Sequence, residues 1–268
     1  MSEVATLFDR FVRRARESVV LGAASNVAAL GAIAGARGLG QFVFGFDASS
    51  STRGEGMELE ADASAFAVDD VRFRLPVPGR HNVENALAAI AACRAVGVPL
   101  ADMVAPLARF QGVGRRFQSL GSARGVEVVD DFAHNPAKLR ATFETARRRA
   151  ARVLAVYQAH GFGPTRFLRP DLVAAFVESL RPTDRLWLLE IFYAGGTAVR
   201  DLSAADLVAD IVARAGHAEF APSREWLVER IASEARAGDL VLVMGARDPS
   251  LTGFGRDILR RLDSKEDV

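Results

Sequence analysis

The chain has 268 residues, 50% hydrophobic and 25% charged, a composition that suits a soluble globular protein of one large domain or two smaller ones. Its 34 basic and 33 acidic residues leave a formal net charge of +1, which gives no reason to expect nucleic acid or a membrane as partner. A single cysteine, Cys93, excludes a disulfide framework; set in an Ala-rich apolar stretch, it reads as a small buried hydrophobe in a cytoplasmic protein.

The opening stretch MSEVATLFDRFVRRARES reads as an amphipathic, charged helix rather than a signal peptide. The most apolar run, VVLGAASNVAALGAIAGA, is broken by Ser, Asn and Gly, and reads as a short strand followed by a small-residue helix, not as a membrane span. QFVFGF is a second strand. The alternation in MELEADASAFAVDDVRFRLPV predicts an antiparallel ribbon. VPGRHNVENALAAIAACRAVGV then leads a loop into a strong helix, with Asn82 or a neighbour as its N-cap. Pro99 ends that pattern before a second helix, LADMVAPLARF. This region offers few parallel strands, and no G-x-x-x-x-G-K-[ST] phosphate loop occurs in the chain, so it reads as an incomplete nucleotide-binding domain. A boundary near Gly112 to Gly114 divides the chain into residues 1–112 and 113–268.

From about residue 126 onward, short apolar runs alternate with helical patterns. VEVVD, RVLAVYQ, DRLWLLEI, AEFA and DLVLVMGA are the strands; PAKLRATFETARRRA, DLVAAFVESL, SAADLVADIVARA, REWLVERIASEA and GFGRDILRRL are the helices. The spacing predicts an α/β fold, a doubly wound, mostly parallel sheet covered on both faces. In such a sheet the polar turns DDFAHN, QAHGFGPTR, EIFYAGG and GARDPS share the rim at the carboxyl ends of the strands, where ligands are held. In the first of these turns, Asn135 suits an N-cap and Pro136 the first helical position.

Three segments, VPGRHNVENALAAIAA, FQGVGRRFQSLG and VEVVDDFAHNPAKLRATFETAR, occur in order and at sensible spacing, and together resemble the Mur ligases. The wording is nearest the branch that adds L-alanine, with the branch that recycles murein tripeptide second. The resemblance implies the end of the family's central ATPase domain over 1–112 and its carboxy-terminal domain over 113–268. It implies ATP and Mg²⁺ as cofactors, and UDP-N-acetylmuramate with an amino acid or peptide as substrates. The phosphate loop would then come from an upstream segment or a separate chain. Carried over residue by residue, it assigns His81, Asn82 and Asn85 to adenine, Arg116 to the ATP phosphates and Asp131 to the ribose, leaving Asp130 to support the turn and Arg115 as a neighbouring surface charge. It places His134, His160 and Arg166 on the side of the incoming amine. Structural readings stand beside these assignments, Asn82 as a helix cap and His134 as an ordinary loop histidine. A module that binds nucleotide or amino acid without catalysis is the alternative function. A dinucleotide-binding dehydrogenase domain is disfavoured, because no G-x-G-x-x-G follows a strand.

Overall fold

The computed structural model describes residues 3–24, 27–214 and 216–264. Two compact units divide the chain, Met1–Gln111 and Gly112–Val268. Ser25 and Asn26 of the apolar run, and Ala215 at the end of the expected helix SAADLVADIVARA, lie outside the described residues.

The first unit contains α1 (Glu3–Val12), β1 (Ser18–Gly22), α2 (Ala28–Ala36), β2 (Gly40–Gly45), β3 (Thr52–Arg53), β4 (Glu55–Leu59), β5 (Ser64–Val68), β6 (Val71–Leu75), α3 (Arg80–Ala95) and α4 (Leu100–Ala108). Strands β1, β2 and β3 pair in parallel in that order. Strands β4, β5 and β6 form the expected antiparallel ribbon, with Phe66 opposite Phe73 and their rings stacked at 5.4 Å. One face of the ribbon is apolar because alternate residues point the same way. It supplies Phe66, Phe73 and Leu75 to a core closed by Val83, Leu87 and Ile90 of α3 and Met103 of α4. Cys93 is half-buried at the margin of this core.

The start of α3 differs from the sequence expectation. Its N-cap is Gly79, at φ 102° and ψ 140°, a conformation open chiefly to glycine. Asn82 lies inside the helix, and its side-chain amide donates to the Pro78 carbonyl at 2.7 Å.

The second unit contains β7 (Gln118–Ala123), β8 (Val126–Asp131), α5 (Pro136–Ala146), β9 (Arg152–His160), α6 (Phe162–Ser179), β10 (Arg185–Phe192), α7 (Ala204–Ala213), β11 (Ala218–Phe220), α8 (Arg224–Glu234), β12 (Asp239–Gly245) and α9 (Leu251–Asp263). The sheet order is β11-β10-β9-β12-β8-β7, parallel throughout except for the β7–β8 hairpin at one edge. The chain moves outward from β8 to β11 through α5, α6 and α7, then returns through α8 to insert β12 between β8 and β9. Right-handed crossovers require that reversal to put the later helices on the opposite face. The packing agrees. Leu139 and Phe143 of α5, Phe176 of α6 and Leu207 of α7 share one core with Val129, Tyr157, Leu188 and Leu242. Leu227 of α8 and Phe254 and Ile258 of α9 share the other with Val128, Leu154, Trp187 and Val241. Adjacent strand residues such as Val128 and Val129 therefore serve opposite cores, and such strands read as unbroken apolar runs.

Two further differences concern this unit. The edge strand β7 was not expected, and the FGPTR part of the second polar turn is helical. Gly161 is the N-cap of α6, so Phe162 to Arg166 form its first turns and Pro164 falls where its missing N–H costs little.

With two cores of its own, the second unit should fold alone. A fragment of residues 112–268 is expected to melt in one cooperative transition by circular dichroism, and Phe176→Ala in it should cost about 3–5 kcal/mol in a denaturant titration. A fragment without a cooperative transition would contradict that expectation.

Candidate functional site

The carboxyl ends of β8, β9 and β12 meet on one rim of the second unit. After β8 the chain turns through Phe132 to His134 into α5, where Asn135 caps the helix by accepting from the Lys138 N–H at 3.0 Å, with Pro136 in the first turn. After β12, Gly245 brings the chain close to β9. A Cβ there would lie 2.8 Å from the Gln158 carbonyl and 2.7 Å from Leu251 Cδ1, so no larger residue fits without displacement.

The two adjacent carboxylates at the end of β8 point to opposite sides of the sheet, as strand geometry requires. Asp130 is fully buried. Its carboxylate faces the Arg115 guanidinium at 3.3 Å and accepts from Thr252 Oγ1 at 2.5 Å. Arg115 also donates to the Gly245 carbonyl at 2.9 Å and the Asp248 carbonyl at 3.1 Å. This corrects the expectation of a surface charge: only 17% of the Arg115 side chain is exposed, and it ties the start of β7 to the turn after β12. Asp131 is 5% exposed. It accepts from the Phe117 N–H at 2.7 Å, the Ala133 N–H at 2.7 Å and the Thr142 hydroxyl at 3.1 Å.

Between these anchored neighbours Arg116 is exposed, its guanidinium 5.1 Å from the centre of the Phe132 ring. The His134 ring stands edge-on to that of His160, with centroids 5.4 Å apart. His134 Nδ1 lies 2.8 Å from the Phe132 carbonyl. A carbonyl only accepts, so Nδ1 carries the proton and Nε2 keeps a lone pair in the neutral ring. Burial holds the His134 pKa below its ordinary value, helped by the charges of Lys138 and Arg116 and opposed by the Phe132 carbonyl and Asp131. His160 is depressed by burial, then by His134 and Arg247. The Lys138 ammonium is lowered by burial and by Arg116.

The two histidines expected on the amine side thus come together, and Arg116 and Lys138 act on His134. Arg166 is engaged elsewhere: from α6 it pairs with Asp201 and donates to the Val199 carbonyl at 3.3 Å. Arg224, farther along the rim, is likewise taken up by Asp248 at 2.5 Å and Gln158 at 3.1 Å. Arg116, Lys138 and Arg247 make no ion pair among the described residues. Lys138 and Arg247 were missed in the sequence. Arg247 lay inside the quoted turn GARDPS, and Lys138 in the first turn of the expected helix. In the first unit, His81 and Asn82 are half-buried on the first turn of α3, and Asn85 is exposed one turn on.

Because each imidazolium would raise the cost of charging the other, removal of one ring should show in the second. Titration followed by imidazole NMR is expected to give both His134 and His160 pKa values below 6.5, and His134→Asn should raise that of His160. The folded-state values are depressed, so this pair contributes stability that is present above about pH 6.5 and shrinks as pH falls toward them. An unmoved His160 in the variant would show that the rings do not interact.

Residues 115–247 match the family described as Mur ligase, glutamate ligase domain. The chain is 37% identical over 267 residues to the UDP-N-acetylmuramate–L-alanine ligase of Kineococcus radiotolerans, covering 96% of this chain and 55% of that protein. Among solved structures it resembles the UDP-N-acetylmuramate-alanine ligase of Thermotoga maritima, at a TM-score of 0.73 and 22% identity over 97% of this chain and 54% of that one. It also resembles the MurF ligase of the same organism solved with ADP, at a TM-score of 0.66 and 14% identity over 94% and 55% of the two chains. The chain spans about half the length of the curated relatives it matches. It belongs to the Mur ligase family, and its second unit carries that family's glutamate ligase domain.

Proposed function

We propose that the chain is the part of an ATP-dependent ligase that holds the nucleotide phosphates and the incoming amine, in an enzyme that joins an amino acid to UDP-N-acetylmuramate through an acyl phosphate. L-Alanine is the proposed amine, by analogy with the named activity of the Kineococcus radiotolerans relative. The observation that carries this reading is the rim of the second unit, where Arg116, Lys138 and Arg247 surround two half-buried histidines without any ion pair among the described residues. Uncompensated cations of this kind, beside the N-terminus of α5, suit phosphate and carboxylate oxygens.

In this reading the planar fork of Arg116 meets the phosphates, for which its geometry is suited. Lys138, Arg247 and the first turn of α5 hold the carboxylate of the amino acid. His134 stays neutral near pH 7 and presents its Nε2 lone pair to the ammonium, whose proton must leave before nitrogen can attack. His81, Asn82 and Asn85 are proposed for adenine, since an amide offers a donor and an acceptor side by side. Asp131 is given a supporting role in place of the ribose contact, because its oxygens already serve three donors within the unit. Arg166, paired with Asp201, is a weaker choice for the amine than Arg247. No group of three or more His, Cys, Asp or Glu suited to a metal occurs among the described residues, so no residue of this chain is assigned to Mg²⁺. The phosphate loop is proposed to lie in a part of the ligase beyond these 268 residues.

The test is reconstitution with a polypeptide that carries a Mur ligase phosphate loop, followed by phosphate release in the presence of ATP, Mg²⁺, UDP-N-acetylmuramate and L-alanine. The chain by itself should not turn over. Together the two should, and Arg116→Ala should raise the KM for ATP more than that for the amine. Turnover by the chain alone would overturn the proposal of an external phosphate loop, and failure of every reconstituted mixture would favour a binding module.

A further inference from the structure

We infer that Asp130 and Asp131 form a two-sided clamp whose work is to aim Arg116, Asp130 holding the residue before it and Asp131 the residue after it. The inference rests on the anion site proposed above and explains why two carboxylates stand side by side at the end of β8.

The grip on each side is direct. Asp130, out of water, pairs with the Arg115 guanidinium, and the other guanidinium nitrogens reach the Gly245 and Asp248 carbonyls. Asp131 accepts from the backbone N–H of Phe117. A third tie closes the loop, since the Phe132 N–H donates to the Arg115 carbonyl at 2.7 Å. Residues 115 and 117 are both held at left-handed φ, 58° and 49°. Such values strain a residue with a side chain, and they persist only where surrounding bonds over-determine them. A turn that merely ended a strand would need neither. What the two strained residues have in common is the exposed one between them, and its guanidinium and that of Arg115 each lie 5.1 Å from the Phe132 ring centre, one buried and one presented. Asp130 and Arg115 are positioning residues in this account, for they act through Arg116 and touch no ligand.

His134 reports where Arg116 is. The groups acting on it are Lys138, Arg116, Asp131 and the Phe132 carbonyl, with the His160 ring at its edge, while Asp130 and Arg115 are not among them. The chain has four histidines, so the His134 signal can be assigned by its loss in His134→Asn. Arg116→Gln should raise the His134 pKa by removing a nearby positive charge. If Asp130 aims Arg116, then Asp130→Asn should also raise it, by at least half as much, and the double variant should move it no farther than Arg116→Gln alone. Any direct effect of losing the Asp130 charge has the opposite sign, because a lost negative charge makes protonation harder. A structural role alone would lower the melting temperature and leave the His134 titration of the folded protein where it was.

Arg115→Lys supplies the same comparison if Asp130→Asn does not fold, since it keeps a cation beside Asp130 and loses the fork to the two carbonyls. An unchanged His134 pKa in the folded clamp variant, or in Arg116→Gln itself, would overturn the inference. A raised pKa in a chain that fails every reconstitution would leave the clamp standing and sink only the ligase reading.

Discussion

A carboxylate with no exposure to water organises this rim. Burial of an ion is tolerable only where its charge and lone pairs are met, and Asp130 is met by a guanidinium and a hydroxyl that lie far from it in the chain. The pair itself spans the β7–β8 hairpin, but its full set of contacts is complete only when the turn after β12 and the start of α9 have joined it. Removal of one partner would leave the other charged and buried, a loss of about 3–5 kcal/mol in comparable pairs. The surrounding geometry follows from this requirement. Arg115 has to turn inward to reach Asp130, Arg115 and Phe117 adopt φ values they would otherwise avoid, and the arginine between them is left outside.

The cations on the rim divide by whether a carboxylate has reached them. Arg224 and Arg166 are matched by Asp248 and Asp201, and their charge contributes to holding loops in place. Arg116, Lys138 and Arg247 make no ion pair among the described residues, and it is around them that burial holds down the pKa values of the two histidines. A surplus of one sign in a partly dehydrated corner attracts an ion of the other sign more strongly than the same charges spread over a surface. The rim thus separates two settings for arginine at adjacent positions, one tied inward as a strut and one left exposed.

Most of the second unit was legible in its sequence because buried parallel strands, such as RVLAVYQAH and DLVLVMG, are apolar on both faces and stand out between helical repeats. Strand β7 was not legible, since QSLGSA is short, polar and an edge strand recognised by its partner rather than by its composition. The start of α6 was hidden by Gly161, Gly163 and Pro164, which normally signal a loop. Among the site residues, His134 and His160 could be singled out because the family resemblance fell on them and each sat in a polar turn. Arg115 was misjudged for a physical reason: a sequence shows that a residue is charged, but not that a carboxylate 15 positions away will draw it inward. The roles of Lys138 and Arg247 depend on the same kind of non-local neighbour.

The position of β12 has a consequence for biosynthesis. Last of this sheet's strands to be made, it occupies the gap between two that were made long before. Until it arrives, β8 and β9 each offer an unpaired edge of backbone groups flanked by apolar residues, the condition under which chains join one another instead of themselves. The nascent unit is therefore exposed for the whole time needed to make β10, β11 and the helices between them, and it becomes safe in a single late step. Chaperone demand, sensitivity to premature termination and the yield of folded protein should all be governed by that step, which also sets Gly245 beside β9 and gives Arg115 its carbonyl partners.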